Sequence, residues 1–398
     1  MTPPLRVAVT NWSARRVGGI EDYVGAVIDA LHQAGTPVAF WHEVDQPSDR
    51  SRIELPANVP RICAADAGLD AALEALREWR PNVIYAHGLF DLDAGRRLQQ
   101  IAPSVLFLHT YTGTCISGRK TLTRPGVVPC DRTFGWPCLA LYFPRGCGGR
   151  SPITMWTEFR RQSSLLEVMH GYRQILTHSE HMKSEMSKHG LRADVVPYAV
   201  AVKPVAHEHR NSRRWRLLYA SRLDFLKGGG FLLDALSRVT ARASRPISLT
   251  VAGDGPERVL LESRARLLRN DMAQIAFTGW LSHERIRQLL QETDVLVVPS
   301  VWPEPFGSIG PLAAQHGVPA AAFDVGGIRS WLTDGVSGHL APGNPPTARG
   351  LAEAILRCVA DSQQHAELRR GARESARRFT MANHLPALMA SLERAACQ

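Results

Sequence analysis

Short apolar runs alternate with amphipathic stretches along most of this chain. Buried strands are predicted at residues 5–10, 83–87, 105–109, 174–178, 195–197, 216–220, 247–252, 275–277, 295–299 and 319–323. Stretches that repeat their apolar residues with a helical period lie between them or follow them, at 23–33, 69–79, 351–362 and 385–396. Strands that alternate with helices predict parallel sheets covered by helices on both faces, which is an α/β fold.

The pattern divides into two series. Residues 201–212 are polar and without apolar periodicity, so we interpret them as an interdomain linker. This gives an N-terminal domain at 1–200, a second domain at 213–378, and a C-terminal helix at 379–398 that is expected to return to the first domain. The full length of 398 residues is sufficient for two such cores. Two sheets joined by one linker predict a crevice at the carboxyl ends of their strands.

The composition is that of a globular protein with an excess of positive charge. Hydrophobic residues make up 44% and charged residues 21%, and the formal net charge is +10. This charge favours anionic partners such as nucleotide phosphates or an acidic membrane surface. No nucleic-acid partner is expected, because no groove-reading motif accompanies the charge. The chain shows neither a secretory signal nor an apolar stretch long enough to span a bilayer. We therefore expect a cytoplasmic protein, with a peripheral position on the inner face of the plasma membrane as a further expectation.

A pair of cations follows the first strand of the second domain. In the sequence 221–228 (SRLDFLKG), Arg222 and Lys227 lie on a strand-to-helix loop, with the next helix beginning at about Gly229. An arginine fork and a lysine point charge on such a loop can converge on one diphosphate. The amides at a helix start add further donors. The alternative is two solvated surface cations.

Glycine turns follow several of the predicted strands. Gly253 and Gly255 lie in 251–255 (VAGDG), where positive φ and a close backbone approach to a base or ribose are available. Trp280 lies in a similar turn (FTGWLS), whose backbone is expected to touch the nucleobase of a donor. Gly18 and Gly19 follow the first strand of the chain, where a glycine pair lets the backbone approach the phosphate or acceptor side of the crevice, and they are predicted to bind the donor. Each of these segments could equally be an ordinary turn or loop.

The sharpest signal is the segment 300–319 (SVWPEPFGSIGPLAAQHGVP). Pro305 suits the first turn of a helix, and Gly307 lets the backbone approach a ligand. The amides of 306–309 (Phe306, Gly307, Ser308 and Ile309) are then expected to face the phosphates or sugar of a donor. Glu304, an acceptor when ionised, suits sugar hydroxyls. Its alternative role is to stabilise the start of a helix.

Two histidines end predicted strands of the first domain, His87 and His109. A histidine at the carboxyl end of a strand opens onto the predicted crevice and can bond a sugar hydroxyl. The alternative is a histidine satisfied within the core.

Four cysteines, Cys115, Cys130, Cys138 and Cys147, lie within an aperiodic segment at 111–150. Their spacing contains no close pair of the kind that structural zinc sites use. A zinc site, a disulfide pair and free thiols all remain open. Arginines and a lysine in the same segment indicate an anionic acceptor, such as a lipid pyrophosphate.

Taken together, these motifs resemble the family four (group 1) glycosyltransferases. The resemblance is specific over 216–338 and rests on the Arg-x4-Lys-Gly loop, the segment 300–319 and the glycine pair in 325–328 (VGGI). It implies the GT-B fold, in which two Rossmann-like domains face each other across a cleft, with an N-terminal acceptor domain and a C-terminal nucleotide-sugar domain. It also implies retaining transfer, without metal or other cofactor, from a nucleotide-sugar donor to a glycan or lipid-linked acceptor. The expected setting is bacterial cell-surface polysaccharide synthesis.

The resemblance also assigns roles to single residues. Arg222 and Lys227 would neutralise the departing diphosphate, and His109 and Glu304 would hold the sugar. The chain departs from the family in one place that matters: Leu312 stands where the family has a second glutamate, which binds the ribose hydroxyls. A glutamate that the family often has after the glycine pair is also missing, since Arg329 follows. The alternative function is therefore a catalytically silent protein that binds a nucleotide sugar or glycan as a scaffold.

Overall fold

The computed structural model describes residues 4–16, 18–46, 50–200 and 213–397. The predicted linker at 201–212 lies outside the described residues. The chain divides into two compact units. The first unit comprises Met1–Gly118, Arg132–Ala201 and Phe379–Gln398, and the second comprises Arg119–Asp131 and Val202–Arg378.

The elements alternate between strand and helix in both units. In chain order they are β1 (Val7–Ser13), α1 (Gly19–Gln33), β2 (Val38–Val44), β3 (Arg61–Cys63), α2 (Ala64–Ala67), α3 (Leu69–Trp79), β4 (Val83–Ala86), α4 (Leu92–Gln99), β5 (Ser104–Phe107), β6 (Thr121–Leu122), β7 (Val128–Pro129), α5 (Pro137–Leu141), α6 (Pro152–Met169), β8 (Gln174–Thr177), α7 (Glu180–Ser187), β9 (Ala193–Val195), β10 (Trp215–Ala220), α8 (Gly229–Thr240), β11 (Ile247–Ala252), α9 (Arg258–Leu268), β12 (Ala273–Gly279), α10 (His283–Glu292), β13 (Val295–Val298), α11 (Ile309–Gln315), β14 (Ala320–Asp324), β15 (Gly338–Pro342), α12 (Ala348–Cys358), α13 (Ser362–Ala376) and α14 (Met381–Cys397). Two 3₁₀ turns, Phe225–Lys227 and Gly326–Ser330, interrupt the second series.

The first unit contains a seven-stranded parallel sheet with the order β3-β2-β1-β4-β5-β8-β9. Its central strands β4 and β5 are buried along their whole length, as expected for strands covered by helices on both faces. The C-terminal helix α14 belongs to this unit, because Leu388, Leu392 and Ala395 are part of its core cluster. The strand order reverses between β1 and β4, which is where ligands bind in open α/β sheets.

The second unit contains a six-stranded parallel sheet with the order β12-β11-β10-β13-β14-β15. This is the strand order of a Rossmann fold, with the reversal between β10 and β13. The loops that leave the carboxyl ends of these two strands are 221–228 and 299–308. The predicted α/β class with parallel sheets is thus confirmed.

Several predicted boundaries are wrong in detail. The helix predicted at 351–362 ends at Cys358, and α13 begins separately at Ser362, because Asp361 caps the amides of Gln363 and Gln364 and so starts a new helix. The pattern did not predict β2, β3 or β15, and the short β3 has an exposed or half-buried surface that gives little apolar signal.

The segment 111–150 is largely irregular, as its sequence predicts. It contains one antiparallel pair, β6 with β7, and the short helix α5. None of the helices described here is both long enough and apolar enough to span a membrane.

Candidate functional site

The candidate site of the second unit lies where its strand order reverses. The loop 221–228 follows β10, and the loop 299–308 follows β13. Parallel strands end at the same edge of a sheet, so both loops emerge on the side where α/β proteins bind their ligands.

A glycine brings the two loops into contact. Gly228 has a φ of 72°, and a Cβ atom at this position would lie 1.8 Å from the carbonyl oxygen of Pro299. The amide of Val301 donates to the carbonyl oxygen of Leu226 at 2.8 Å. Only glycine allows this approach without strain, so the loop after β10 is held against the loop after β13.

This contact joins Lys227 to Glu304. The Lys227 Nζ atom donates to Glu304 Oε1 at 2.6 Å, and the Ser300 hydroxyl donates to the same oxygen at 2.6 Å. The Lys227 Nζ atom also lies 4.9 Å from the centroid of the Trp302 ring, within range of a cation–π contact. The Glu304 side chain is 8% exposed and that of Lys227 is 23% exposed. Bonds from described residues to this carboxylate fall on Oε1, which leaves Oε2 to accept from a ligand.

Ser300 and Trp302 belong to the site but were not singled out in the sequence. The signal was present: Ser300 comes two residues after β13 and four before Glu304, at the strand end where polar residues meet a ligand. Serine and tryptophan are common enough in loops that this position alone did not distinguish them.

Arg222 lies on the same loop but is far more exposed. Its side chain is 70% exposed, and its Nε atom is 3.9 Å from Asp224 Oδ2. Asp224 also caps the 3₁₀ turn by accepting from the amide of Leu226 at 3.0 Å. The expected convergence of Arg222 and Lys227 on one diphosphate therefore stays a prediction.

The glycine pair after β14 supports the backbone of Glu304. Gly326 has a φ of 56°, and a Cβ there would lie 2.3 Å from the Glu304 carbonyl oxygen. The amide of Gly327 donates to that same oxygen at 2.6 Å. A Cβ on Gly327 would lie 2.3 Å from the carbonyl oxygen of Pro305. These glycines therefore position the acidic residue through backbone packing.

Gly253 and Gly255 pack in the same way against the loop that carries Arg222. Added Cβ atoms would lie 1.8 Å from the carbonyl oxygen of Ser221 and 2.4 Å from that of Leu223. The amide of Leu223 donates to the Asp254 carbonyl oxygen at 2.8 Å. Contact with a donor nucleotide stays a prediction for both glycines, and for Trp280, whose side chain is 45% exposed beyond β12.

The helix expected to begin at Pro305 begins four residues later, at Ile309. Gly307 has a φ of 87°, in the left-handed region, which interrupts any helix that starts at Pro305. Leu312 accordingly lies in the first turn of α11, and its amide donates to the Ser308 carbonyl oxygen at 3.3 Å. A helix that began at Pro305 would place Leu312 about two turns beyond Glu304, and the later start of α11 rules this arrangement out.

A tryptophan fills the space beside this helix. The Trp331 Nε1 atom donates to the carbonyl oxygen of Phe306 at 2.7 Å. A Cβ on Gly310 would lie 2.5 Å from the Trp331 ring, so the ring packs directly on the first turn of α11. Donor contacts of the 306–309 amides stay a prediction.

In the first unit, Gly18 and Gly19 form the start of α1. The Gly18 amide donates to Glu21 Oε2 at 2.8 Å, and the Trp12 indole donates to Glu21 Oε1 at 3.1 Å. Burial raises the pKa of Glu21, although these bonds oppose the shift. The Glu21 carboxylate thus caps the Gly18 amide at the start of its own helix, and contact of Gly18 and Gly19 with a donor stays a prediction.

His109 belongs to a cluster of aromatic and histidine rings at the ends of β4, β5 and β8. His87 Nδ1 and His109 Nε2 are 3.0 Å apart, and Tyr23 lies edge-on to both rings. Burial lowers the pKa of His109 to about 3 and that of His87 well below its ordinary value. Both rings are therefore neutral near pH 7, so His109 can share a hydrogen bond with a ligand but carries no charge.

The C-terminal helix completes this cluster. Tyr23 Oη is 2.6 Å from Tyr85 Oη and 2.9 Å from His384 Nε2, while His384 Nδ1 lies 2.6 Å from the Pro197 carbonyl oxygen. Burial lowers the pKa of His384 to about 4. Tyr23 and His384 were not singled out in the sequence, since nothing there links residues so far apart in the chain.

Cys115, Cys130, Cys138 and Cys147 are each half-buried. Cys138 and Cys147 pack against the apolar cluster of Ile116, Tyr142 and Phe159. Across the described parts of the chain, no group of three or more His, Cys, Asp or Glu side chains is placed to hold a metal ion. The choice between a zinc site, a disulfide pair and free thiols therefore stays a prediction.

Comparison with known proteins agrees with this arrangement. The family described as "Glycosyl transferases group 1" matches residues 205–378. The glycogen synthase of Mycobacterium tuberculosis is 34% identical over 165 residues, which is 41% of this chain and 38% of that protein. The D-inositol 3-phosphate glycosyltransferase of Jonesia denitrificans is 32% identical over 184 residues, 45% of this chain and 42% of that protein. The chain therefore spans about two fifths of the length of these curated relatives.

Solved structures match over the whole chain. Anabaena HepE in complex with UDP and glucose aligns with a TM-score of 0.67 at 18% identity, covering 98% of this chain and 99% of that one. The pneumococcal O-GlcNAc transferase GtfA in complex with UDP and GlcNAc aligns with a TM-score of 0.70 at 11% identity, with coverage of 98% and 99%. At these identities the likeness establishes the fold, and the predicted GT-B fold is confirmed. Residues 205–378 thus match the group 1 glycosyltransferase family, and the whole chain shares the fold of these solved structures.

Proposed function

We propose that this chain is a retaining glycosyltransferase that moves a sugar from a nucleotide-sugar donor to a glycan acceptor. The single observation that carries the proposal is the Lys227–Glu304 pair at the strand reversal of the second unit. It lies within the residues that match the family. The finer expectations, a lipid-linked acceptor and a role in cell-surface polysaccharide synthesis, belong to the same proposal.

In the proposed mechanism, some side chains stabilise charge on the leaving group and others bind the sugar by hydrogen bonds. As the bond between the anomeric carbon and the diphosphate oxygen breaks, Lys227 and Arg222 stabilise the negative charge on the departing diphosphate. The acceptor hydroxyl attacks the anomeric carbon from the leaving-group face, and its proton passes to the diphosphate oxygen. Glu304 Oε2 accepts from a sugar hydroxyl, because Lys227 and Ser300 occupy Oε1. His109 is assigned to the sugar by the family resemblance.

One observation favours a second candidate, a catalytically silent scaffold. Leu312 lies in the first turn of α11, where the family has the glutamate that binds ribose. A leucine accepts no hydrogen bond, and Arg329, in the place of the other missing glutamate, is paired with Asp324. A scaffold of this kind would bind the donor without catalysing sugar transfer.

Calorimetry and a diphosphate-release assay separate the two candidates. The full chain is titrated with UDP-glucose, UDP-GlcNAc and GDP-mannose, and released UDP or GDP is measured with and without glycan acceptors. Transfer is supported if the unaltered chain binds a donor and releases UDP or GDP, and if this release disappears in the Arg222→Ala and Lys227→Ala variants. Binding without release by the unaltered chain supports the scaffold. Failure to bind any of the three donors refutes both.

A further inference from the structure

Large apolar side chains stand exposed together on the first unit. Trp136 is 69% exposed, Ile153 is 76% exposed and Trp156 is 44% exposed. The two indole rings lie 6.2 Å apart, and Ile153 and Trp156 are three residues apart on α6, so they share one side of that helix. We call these three residues the tryptophan face. Single exposed apolar residues are ordinary on a protein surface, but clustered ones mark an interaction site.

A buried aromatic ring supports the tryptophan face from beneath. Phe159 is 7% exposed and forms a core cluster with Ile116 and Tyr142. Its ring contacts Trp136 at 5.2 Å and Trp156 at 6.1 Å between centroids. The indoles are thus fixed from beneath with their outer surfaces in solvent.

Basic residues outnumber acidic ones in the segment that carries the tryptophan face. From residue 131 to residue 161 the exposed charged residues are Asp131, Arg132, Arg150 and Arg160. The second acidic residue of this segment, Glu158, is half-buried and lies 3.7 Å from Arg161. Tryptophan is favoured at the boundary between water and lipid, and arginine is attracted to anionic headgroups.

We propose that the tryptophan face and its three arginines dock on the surface of an anionic lipid bilayer. The indoles and Ile153 would enter the headgroup region, and the arginines would contact lipid phosphates. The proposal concerns the membrane that would hold a lipid-linked acceptor, and so it rests on that acceptor as part of the proposed function. Vesicle binding needs neither a donor nor sugar transfer, so docking and transfer are measured in separate experiments.

Co-sedimentation of the full chain with vesicles tests the proposal. Vesicles of phosphatidylcholine alone are compared with vesicles that also contain phosphatidylglycerol. We expect binding to the anionic vesicles that weakens with salt, and tryptophan emission that shifts to shorter wavelength. Each arginine near an anionic surface should strengthen binding about fivefold, so replacing all three with glutamine should weaken it roughly a hundredfold. Trp136→Ser with Trp156→Ser should weaken it at least tenfold.

Matched control variants carry the same types of substitution at exposed positions of the second unit. Arg285, Arg349 and Arg370, all exposed in the second unit, are replaced with glutamine to remove the same charge, and the 88% exposed Leu267 is replaced with serine. These variants should bind vesicles nearly as well as the unaltered chain, and the tryptophan variant should keep its affinity for UDP. The proposal is overturned if the unaltered chain ignores anionic vesicles or if the control arginines matter equally. It is also overturned if the tryptophan variant binds vesicles normally, or if the tryptophan face proves to mediate a dimer without lipid.

Discussion

Replacing Lys227 with alanine is the most direct test of the candidate site. The change removes the cation that donates to Glu304 Oε1 at 2.6 Å and leaves Ser300 as the remaining donor to that oxygen. The loop itself should keep its conformation, because it is fixed by backbone bonds and by Gly228 against Pro299. The variant therefore separates loss of charge from loss of structure.

The expected effect on turnover is large and the effect on stability small. Removing one preorganised donor from a developing negative charge costs about 3–4 kcal/mol, so we expect kcat/KM to fall roughly 10²- to 10³-fold. The Lys227 side chain is 23% exposed, and Glu304 keeps its serine bond. The unfolding free energy should therefore fall by only about 1 kcal/mol.

The assay is release of UDP from UDP-glucose, with urea unfolding of the same preparations. Lys183→Ala is a matched control, because Lys183 pairs with Glu180 at 3.6 Å on an exposed helix face of the first unit. That variant should behave as the unaltered chain. Turnover by Lys227→Ala within threefold of the unaltered chain, or about the same loss in both variants, would refute the assignment of Lys227 to the diphosphate.

Three further outcomes are expected. Ser300→Ala should lower kcat/KM roughly tenfold, because Glu304 Oε1 loses a charge-assisted bond, and steady-state kinetics measure it. Leu312→Glu should tighten UDP binding about tenfold in calorimetry by restoring an acceptor for ribose hydroxyls. The third concerns pH: His384 has a folded pKa of about 4, below its unfolded value near 6.5. The unfolded chain therefore binds the proton first, so the contribution of His384 to stability is full above about pH 6.5 and falls by roughly 3 kcal/mol toward pH 4, as urea unfolding of the unaltered chain and the His384→Gln variant at several pH values should show.

Each of these has its own control or contrary result. Ser237, which is exposed to solvent on α8, gives a neutral serine-to-alanine control for Ser300. Weaker UDP binding by Leu312→Glu would mean that the pocket is built around an apolar residue. For the pH effect, His384→Gln should reduce the slope of the stability profile between pH 7 and pH 5, while His87 and His109, whose pKa values burial also lowers, keep the remaining slope. A flat profile in the unaltered chain would contradict the burial argument.

Local pattern was enough to predict the α/β class, most of the central strands and the helix α3, whose predicted bounds match the structure. The loop 221–228 and the segment 300–319 were also visible, since glycines, prolines and charges at strand ends carry a local signal. Glycines were harder to interpret, because the same residue can either approach a ligand or pack against neighbouring backbone. Gly253 and Gly255 were expected to approach a base or ribose, and the structure shows that they also pack against the loop that carries Arg222, so their contact with a nucleotide stays a prediction.

The sequence by itself determined the order of elements and the residue types at the strand ends, because hydrophobic period and turn chemistry act over a few positions. Only the tertiary structure decided which of those ends meet. Lys227 and Glu304 form a pair because the strand order places β10 beside β13. Likewise, His384 reaches Tyr23 because α14 packs in the first unit. Such contacts depend on sheet order and on long-range packing, which no short stretch of sequence encodes.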